Sequence, residues 1–312
     1  MGAVLASLGE PPEVTMRRIL VIGSYNRDTV LRVPRFPQPG ETLAARALDR
    51  FHGGKGSNQA VAAARAGAAV SLAAAIGTDE AAEAALALWA AEGIGAASVH
   101  RRAGVPTGEA LILLDDRGEN EIVIVGGANA TLAPEEAVAA LGVSALVLAQ
   151  LETPVEATLA AFVAARAAGA RTLLNAAPAQ VLPEALLDAT AILMVNETEA
   201  ERLAGRSGAP ADLAAALASR VAEGVVLTAG AAGAWWAARG AAPSHVPAVP
   251  TDVVDSTGSG DAFAGAMAAG LAEGLPIEAA LRRGATAGAL ACRRLGAVPS
   301  LPRRAEILAL GG

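Results

Sequence analysis

The sequence predicts an α/β fold: a three-layer αβα sandwich around a mainly parallel central sheet, with a small β-sheet lid beside it. Three observations carry that expectation. Short apolar runs alternate with Ala-rich helical runs along most of the chain. Two β-rich segments, about 29–51 and 105–126, interrupt the alternation and cannot belong to βαβ units. No internal repeat or low-complexity linker divides the 312 residues into independent parts.

Taken in order, residues 1–16 read as a loose N-terminal tail, with Met16 a candidate start, leaving 17–312 as the domain. RILVIGS (18–24) is a short apolar run closed by Gly-Ser, the pattern of a strand buried on both faces. GKGSNQAVAAARAGA (54–68) reads as a helix ending near Gly67, VSLAAAIG (70–77) as a strand, and DEAAEAALALWAAEG (79–93) as a helix closed by Gly93. Further on, ALVLAQ (145–150), RTLLNAA (171–177), AILMVN (191–196) and VVLTAG (225–230) read as strands. PVEATLAAFVAARAAG (154–169), TEAERLAG (198–205) and ADLAAALASRVAEG (211–224) read as helices, and the last quarter is helical over 261–273 and 276–295.

The two interrupting segments have their own logic. Residues 29–51 hold Pro34, Pro37 and Pro39 and then TLAARALDRF. TGEALILLDDRGENEIVIVG (107–126) is a hairpin, two β-rich runs around the turn DDRGEN. Together they form a small projecting sheet. It is either a packing extension or a lid that excludes water during a transfer reaction, and both segments abut the candidate site motifs.

Composition removes several classes of function. Net charge is −7, aromatics are 3% and no basic block occurs, so no nucleic-acid partner is expected. One cysteine, Cys292, excludes an intrachain disulfide and a Cys-based zinc cluster, and three scattered histidines argue against a His-rich metal site. The most apolar stretch, 137–151, is interrupted by Gly142, Ser144 and Gln150, so no membrane span is expected. The N-terminus lacks a basic segment followed by a continuous apolar one. A soluble, cytoplasmic protein is the expectation.

The chemistry concentrates in DSTGSGD, Asp255 to Asp261, directly before an Ala-rich helix. A Gly258-Ser259-Gly260 turn leaves backbone N–H groups free to meet an anion, and the helix adds the positive end of its dipole. Asp261 would repel a bound phosphate unless it had a use, such as taking a proton. That pairing suggests phosphoryl transfer to a hydroxyl, although Asp, Ser and Gly before a helix also read as a plain cap. In open α/β sheets ligands bind beyond the carboxyl ends of the strands. The polar residues there are Asn26 and Asp28, the GGKGSN run with Gly54, Lys55, Gly56, Ser57 and Asn58, then Glu152, Asn196, and Thr228 to Gly233. Asn26 and Asp28 lie two apart, so on an extended chain they face one side, suited to neighbouring sugar hydroxyls or to a turn. GGKGSN is not a P-loop, because the earlier Gly is absent and Gly56 replaces Ser/Thr. Phosphate binding therefore falls to Gly258–Gly260.

With these residues in view, the chain resembles the ribokinase-like (PfkB) carbohydrate kinase family. The matching stretches are GSYNRD (23–28), PGET (39–42), GGKGSNQAVAAARAGA (53–68), GENEI (118–122), GANA (127–130), QLETP (150–154), NETEAERL (196–203), VDSTGSGDAFAGA (254–266) and GAVPSLP (296–302). The resemblance implies a ribokinase-like sandwich whose β-lid also serves as a homodimer interface. It implies transfer from ATP–Mg²⁺ to the 5-hydroxyl of a pentose, D-ribose foremost. Asp261 resembles the base, and Gly258, Ser259 and Gly260 the anion hole. Asn26, Asp28, Gly54, Lys55, Gly56, Ser57, Asn58 and Glu152 fall where the family contacts the sugar or orders the site. Asn196, Thr228, Ala229, Gly230, Ala231, Ala232, Gly233 and Gly260 fall where ATP is held. Asp255, Thr257, Ala291, Arg294, Gly296 and Ser300 match positions for an activating monovalent cation, K⁺, several through backbone carbonyls. Ala285 departs from the pattern, standing where members carry a larger residue near adenine. Another small sugar, a sugar acid or a nucleoside is the alternative acceptor, and a non-catalytic sugar-binding regulator the alternative class.

Overall fold

Strands of four or five apolar residues, too short for helices and flanked by Gly and polar turns, build the centre of the molecule. The computed structural model describes residues 18–311, so the expected tail at 1–16 lies outside the described residues. The main sheet has nine strands. In chain order they are β1 (Ile19–Ile22), β4 (Val70–Ile76), β5 (Gly95–Arg101), β8 (Leu146–Ala149), β9 (Arg171–Asn175), β10 (Ile192–Asn196), β11 (Gly224–Thr228), β12 (Ala234–Ala238) and β13 (Ser244–Val246). Their spatial order is β13-β12-β11-β10-β9-β8-β1-β4-β5. Every pair from β5 to β11 is parallel, and only β12 and β13 add antiparallel at the edge.

Side chains alternate across this sheet and feed two separate cores. Ile19, Val21, Leu72, Leu146, Leu148, Ile192 and Val226 pack on one face with Val61, Trp89, Phe263, Met267 and Leu281. Those partners come from α1 (Lys55–Arg65), α2 (Glu80–Ala91), α8 (Ser259–Ala272) and α9 (Ile277–Ala291). Leu20, Ile22, Val147, Leu174, Leu193, Val195 and Val225 point the other way. There they meet α3 (Pro134–Ala139), α4 (Val155–Ala167), α5 (Glu184–Asp188), α6 (Glu197–Ala204) and α7 (Pro210–Ala218). Two short helices, α10 (Ala297–Ser300) and α11 (Arg304–Ala309), close the chain. The result is the three-layer sandwich that the sequence predicts.

The second sheet has four strands: β2 (Asn26–Arg32), β3 (Ala47–Gly53), β6 (Gly108–Leu114) and β7 (Asn120–Val125), ordered β3-β2-β6-β7. β6 and β7 are the expected hairpin, turned by Asp115, whose carboxylate accepts from the N–H groups of Arg117 and Glu119. β2 and β6 run parallel, so the sheet is mixed. Its register sets Asn26 opposite Gly53 and Gly108, and Asp28 opposite Phe51 and Ala110. Asn26 and Asp28 therefore belong to this sheet, three and five residues beyond the Gly23 that follows β1, and share its site-facing side.

β1 sits in the middle of the main sheet, with β4 on one flank and β8 on the other. Chain connections leave in opposite directions from this point. A crevice opens at the carboxyl ends of strands where that happens. No described helix is long and apolar enough to cross a membrane.

Candidate active site

The α8 N-terminus starts on Gly258, whose φ of 77° is the left-handed conformation that glycine adopts without strain. An added Cβ there would sit 3.1 Å from the Ala297 backbone. The Ala262 N–H makes the first helical bond, to Gly258 O, and the Ser259 N–H turns to Ser256 O. The N–H groups of Gly258, Gly260 and Asp261 have no acceptor among the described residues. A Cβ built on Gly260 meets nothing within 4 Å, so that approach is open. Ser259, expected to offer its N–H, spends it on the turn, and the free N–H groups are those of Gly258, Gly260 and Asp261.

Asp261 is 7% exposed. Its Oδ2 accepts from Asn58 Nδ2 and its Oδ1 from Gln59 Nε2, both at 2.9 Å. Both donors lie on α1. They reach Asp261 because α1 and α8 touch backbone to backbone at Gly265, where a Cβ would come 2.5 Å from Ala62 Cβ. Burial pushes the Asp261 carboxyl up, while the Lys55 charge and the two amides pull it back toward ionisation.

The N-terminus of α1 has no local side-chain cap. Glu152, just beyond β8, supplies one from across the switch point: its Oε2 accepts from the Lys55 N–H at 2.9 Å and from the Ser24 hydroxyl. This joins the ends of β1 and β8 to the helix that carries Lys55, Asn58 and Gln59. Burial works against the Lys55 ammonium, but Asp261, Glu152, Glu199 and Asp28 outweigh it and raise its pKa. Asp28 responds to the same crowding. Burial first, then the charges of Glu152 and Asp261, lift its carboxyl to about 7 despite Lys55.

The side toward the four-stranded sheet is polar and partly unspent. Asn26 Oδ1 accepts from Asn129 Nδ2, and Asn129 also exchanges hydrogen bonds with the Tyr25 backbone. The Asp28 carboxylate lies over Gly53, where a Cβ would clash with it at 2.2 Å. Asn58 Oδ1 is buried without a partner. Gly54, with φ of 84°, lets the chain pass against Tyr25 and Asn26, where a Cβ would come within 2.6 Å.

On the other side of Asp261 lies a cavity of about 220 Å³. Lys55, Asn196, Thr228, Gly258, Gly260 and Asp261 line it, with Asn175, Met194, Glu199 and Ser256. Asn196 caps α6 in a reciprocal box with Glu199, each side chain bonding the other's backbone N–H. Burial raises the Glu199 carboxyl. Ala229 to Gly233 form a tight turn after β11, closed by the Ala229 N–H to Gly233 O. Of that turn only Thr228, at its start, reaches the cavity wall.

The expected cation positions come from the Asp255–Thr257 loop and from the segment running from the end of α9 through α10, which meet beside Gly258. Asp255 binds the N–H groups of Thr257 and Gly296, which hold its carboxyl below the ordinary range against the effect of burial. Each oxygen keeps a free lone pair. Ser300 donates to Ala297 O and can still accept. Ala291 is buried, and the Arg294 guanidinium turns away to Glu306, leaving only its carbonyl for a cation. This oxygen-only donor set suits a hard cation such as K⁺ and offers no nitrogen or sulfur ligand. Among the described residues no cluster of three or more His, Cys, Asp or Glu could hold a metal.

Two of the expected positions also carry structure. Gly56 packs on the turn after β1, where a Cβ would lie 2.4 Å from the Ser24 nitrogen, so close backbone approach requires glycine there. Ser57 is fully buried, and its hydroxyl accepts from the Trp89 indole. Conversely, Ser24, Gln59, Asn129, Gln150, Asn175 and Glu199 are site residues that sequence reasoning passes over. Ser24, Gln59, Asn129, Gln150 and Glu199 lie inside the motif stretches, and Asn175 closes an apolar strand, the one signal that marks it.

The pfkB family carbohydrate kinase model matches residues 16–304. The chain is 38% identical over 306 residues to the bifunctional ribokinase/ribose-5-phosphate isomerase A of Fructilactobacillus sanfranciscensis, covering 94% of this chain and 56% of that one. It spans only about half the length of that relative. It is 36% identical to the ribokinase of Staphylococcus aureus over 93% of this chain and 98% of that protein. In three dimensions it matches Arabidopsis thaliana ribokinase complexed with ribose and ATP, with a TM-score of 0.89 at 31% identity, covering 94% and 98% of the two chains.

Proposed function

The chain belongs to the pfkB family of carbohydrate kinases, and on that premise we propose that it transfers the γ-phosphoryl group of ATP to the 5-hydroxyl of D-ribose. The products are ribose 5-phosphate and ADP. One observation carries the reading: a buried Asp261 carboxylate gripped by two amides, beside a helix N-terminus with unspent N–H groups. The Arabidopsis ribokinase complex, with ribose and ATP together, supports these substrates.

In this reading the sugar lies between β2 and α1. Asp28 accepts from adjacent hydroxyls, the Asn26 amide donates, and the unpartnered Asn58 Oδ1 takes a further hydroxyl. The 5-hydroxyl faces Asp261, whose oxygens each hold one amide and keep a lone pair. ATP enters as its Mg²⁺ complex, with phosphates along Asn196 and Gly258–Asp261 and the nucleoside toward Thr228–Gly233. Asp261 takes the hydroxyl proton as the oxygen attacks the γ-phosphorus and the bond to the ADP oxygen breaks. The proton ends on Asp261 and the electron pair on ADP. General-base help of this kind is worth about 10²–10⁴-fold. The N–H groups of Gly258, Gly260 and Asp261 meet the charge on the equatorial oxygens, and losing one such donor costs about 2.7–4 kcal/mol. Lys55 balances the carboxylates around the sugar. A monovalent cation held by Asp255, Ser300 and the carbonyls of Thr257, Ala291, Arg294 and Gly296 would add positive charge behind the anion site.

The four-stranded sheet acts as the lid and as a homodimer surface. Leu48, Leu111, Ile122, Val123, Ile124 and Val125 are exposed on it, and β7 is an edge strand among the described residues.

An ADP-release assay across ribose, 2-deoxyribose, fructose and adenosine tests the assignment. Ribose is expected to give the highest kcat/KM. A preference for fructose or adenosine would overturn ribose as the substrate.

A further inference from the structure

Two glutamines lie behind the base, and of these only Gln59, one of the two amides on Asp261, enters the transfer described above. Gln59 lies on α1 and Gln150 follows β8, and both are 0% exposed. Gln150 Nε2 donates to Gln59 Oε1 at 2.6 Å, and Gln59 Nε2 donates to Asp261 Oδ1 at 2.9 Å and to Asn175 Oδ1 at 3.0 Å. We propose that Gln150 and Gln59 form a directional amide relay that positions the Asp261 carboxylate and keeps it ionised for proton abstraction.

The direction follows from what each group can do. An ionised carboxylate only accepts, so Gln59 must turn its NH₂ toward Asp261. Its carbonyl oxygen then points the opposite way and needs a donor, which Gln150 supplies. If Gln59 turned over, its carbonyl would face the carboxylate and favour the protonated acid. The arrangement has a cost. Gln150 Oε1 is buried with no partner, and it lies so close to Gly23 that a Cβ there would come within 2.3 Å. Turning Gln150 over would pair that oxygen with nothing better and would set two carbonyls against each other. A buried, unsatisfied carbonyl is a costly feature, retained here while its amide nitrogen points along the relay. Both glutamines are positioning residues, and Gln150 acts only through Gln59.

The charged groups around Asp261 are Lys55 on α1, Glu152 beyond β8 and Asp28 on β2, with Glu199 on α6 across Lys55. On α9, the helix packed along α8, Arg283 pairs with Glu273 at the far end of α8. None of these changes when the glutamines are replaced by methionine.

The proposal rests on Asp261 being the base. Its test is the pH profile of kcat for Gln59→Met, Gln150→Met and the double variant, beside Asp261→Asn. Gln59→Met is expected to lower kcat about ten- to a hundredfold. Its acid limb should move up by about one pH unit, with KM for ribose and ATP within about twofold of wild type. Gln150→Met should move the limb the same way, and the double variant should match Gln59→Met, because one residue works through the other. An unmoved acid limb, or losses that add, would overturn the relay while a dead Asp261→Asn leaves the base intact. An active Asp261→Asn would overturn the base itself. If a glutamine variant does not fold, the side-chain amide NMR signals of wild type decide. The Gln59 NH₂ should shift with the titration of Asp261 and lose that shift in Asp261→Asn, and a pH-independent signal would overturn the proposal.

Discussion

The affinity of this enzyme for its sugar should fall steeply in mild acid, because the Asp28 carboxyl is poised at about 7. The perturbation is pH alone. Asp28 is crowded by burial and by Glu152 and Asp261, with only Lys55 in opposition. A hydroxyl donating to Asp28 requires the ionised form, so binding selects carboxylate and expels the proton. At about pH 6 only about one part in eleven of Asp28 is ionised, and the apparent Kd for ribose rises about elevenfold. That is about 1.4 kcal/mol, and each further pH unit downward costs as much again. Above about pH 8 the affinity is flat. Calorimetry in buffers of different ionisation enthalpy counts the protons: about 0.9 released at about pH 6, about half at pH 7, and almost none at about pH 9. An Asp261→Asn background removes the second buried acid and, because the Asp261 charge raises Asp28, should move the same fall to lower pH. Asp28→Asn should bind weakly at every pH with no proton release. A Kd constant across this range, or proton uptake on binding, would refute the reasoning.

Gly53→Ala should raise the KM for ribose at least about tenfold with little loss of thermal stability, since the three atoms nearest its Cβ all belong to the Asp28 carboxylate, the first at 2.2 Å; an unchanged KM would separate Asp28 from the sugar. Glu152→Ala removes the acceptor for the Lys55 N–H and the Ser24 hydroxyl and should cost about 1–3 kcal/mol in urea unfolding. It also removes a charge that raises Asp28, so the acid fall in ribose affinity should move to lower pH. Burial holds Asp28, Asp261 and Glu199 above their unfolded values, so their stabilising effect is complete below the ordinary carboxylate range and is lost as pH rises, through about 7 for Asp28. The ligand-free Tm should therefore drop between about pH 5 and 8, and saturating ribose should flatten that slope; a rising Tm would contradict it. Val123→Glu, at a residue 62% exposed on the outer strand of the lid, should shift a dimer to monomer in sedimentation velocity, and an unaltered dimer would move the interface elsewhere.

Much of this molecule was legible in its sequence, for identifiable reasons. Buried parallel strands such as Ile19–Ile22 and Ile192–Asn196 announce themselves as apolar runs between Gly and polar turns. The switch point then follows from where those runs end. β12 and β13 escaped because Ala-Trp-Trp-Ala-Ala carries no alternation and a three-residue strand carries no period at all. Motifs that expose their chemistry were legible: Lys55, Gly258, Gly260 and Asp261, taken from two distant stretches, line one cavity. The site was less legible where a residue acts through packing. Gly56 and Ser57 stand inside the motif but serve the crossing of α1 over β1 and the Trp89 indole. Glu152 reads as contacting the sugar or ordering the site, and the order it brings is the cap of a helix begun 97 residues earlier, a pairing no local pattern encodes. Gln59 and Gln150 are 91 positions apart, and only the meeting of α1 with the end of β8 joins them.

The base role of Asp261 is most directly tested by single-turnover phosphoryl transfer in Asp261→Asn, with ribose binding measured on the same protein. Asparagine keeps the shape and cannot take the proton. Transfer is expected to fall about 10²–10⁴-fold, with the Kd for ribose within about threefold of wild type at about pH 8. Transfer within about tenfold of wild type would contradict the account.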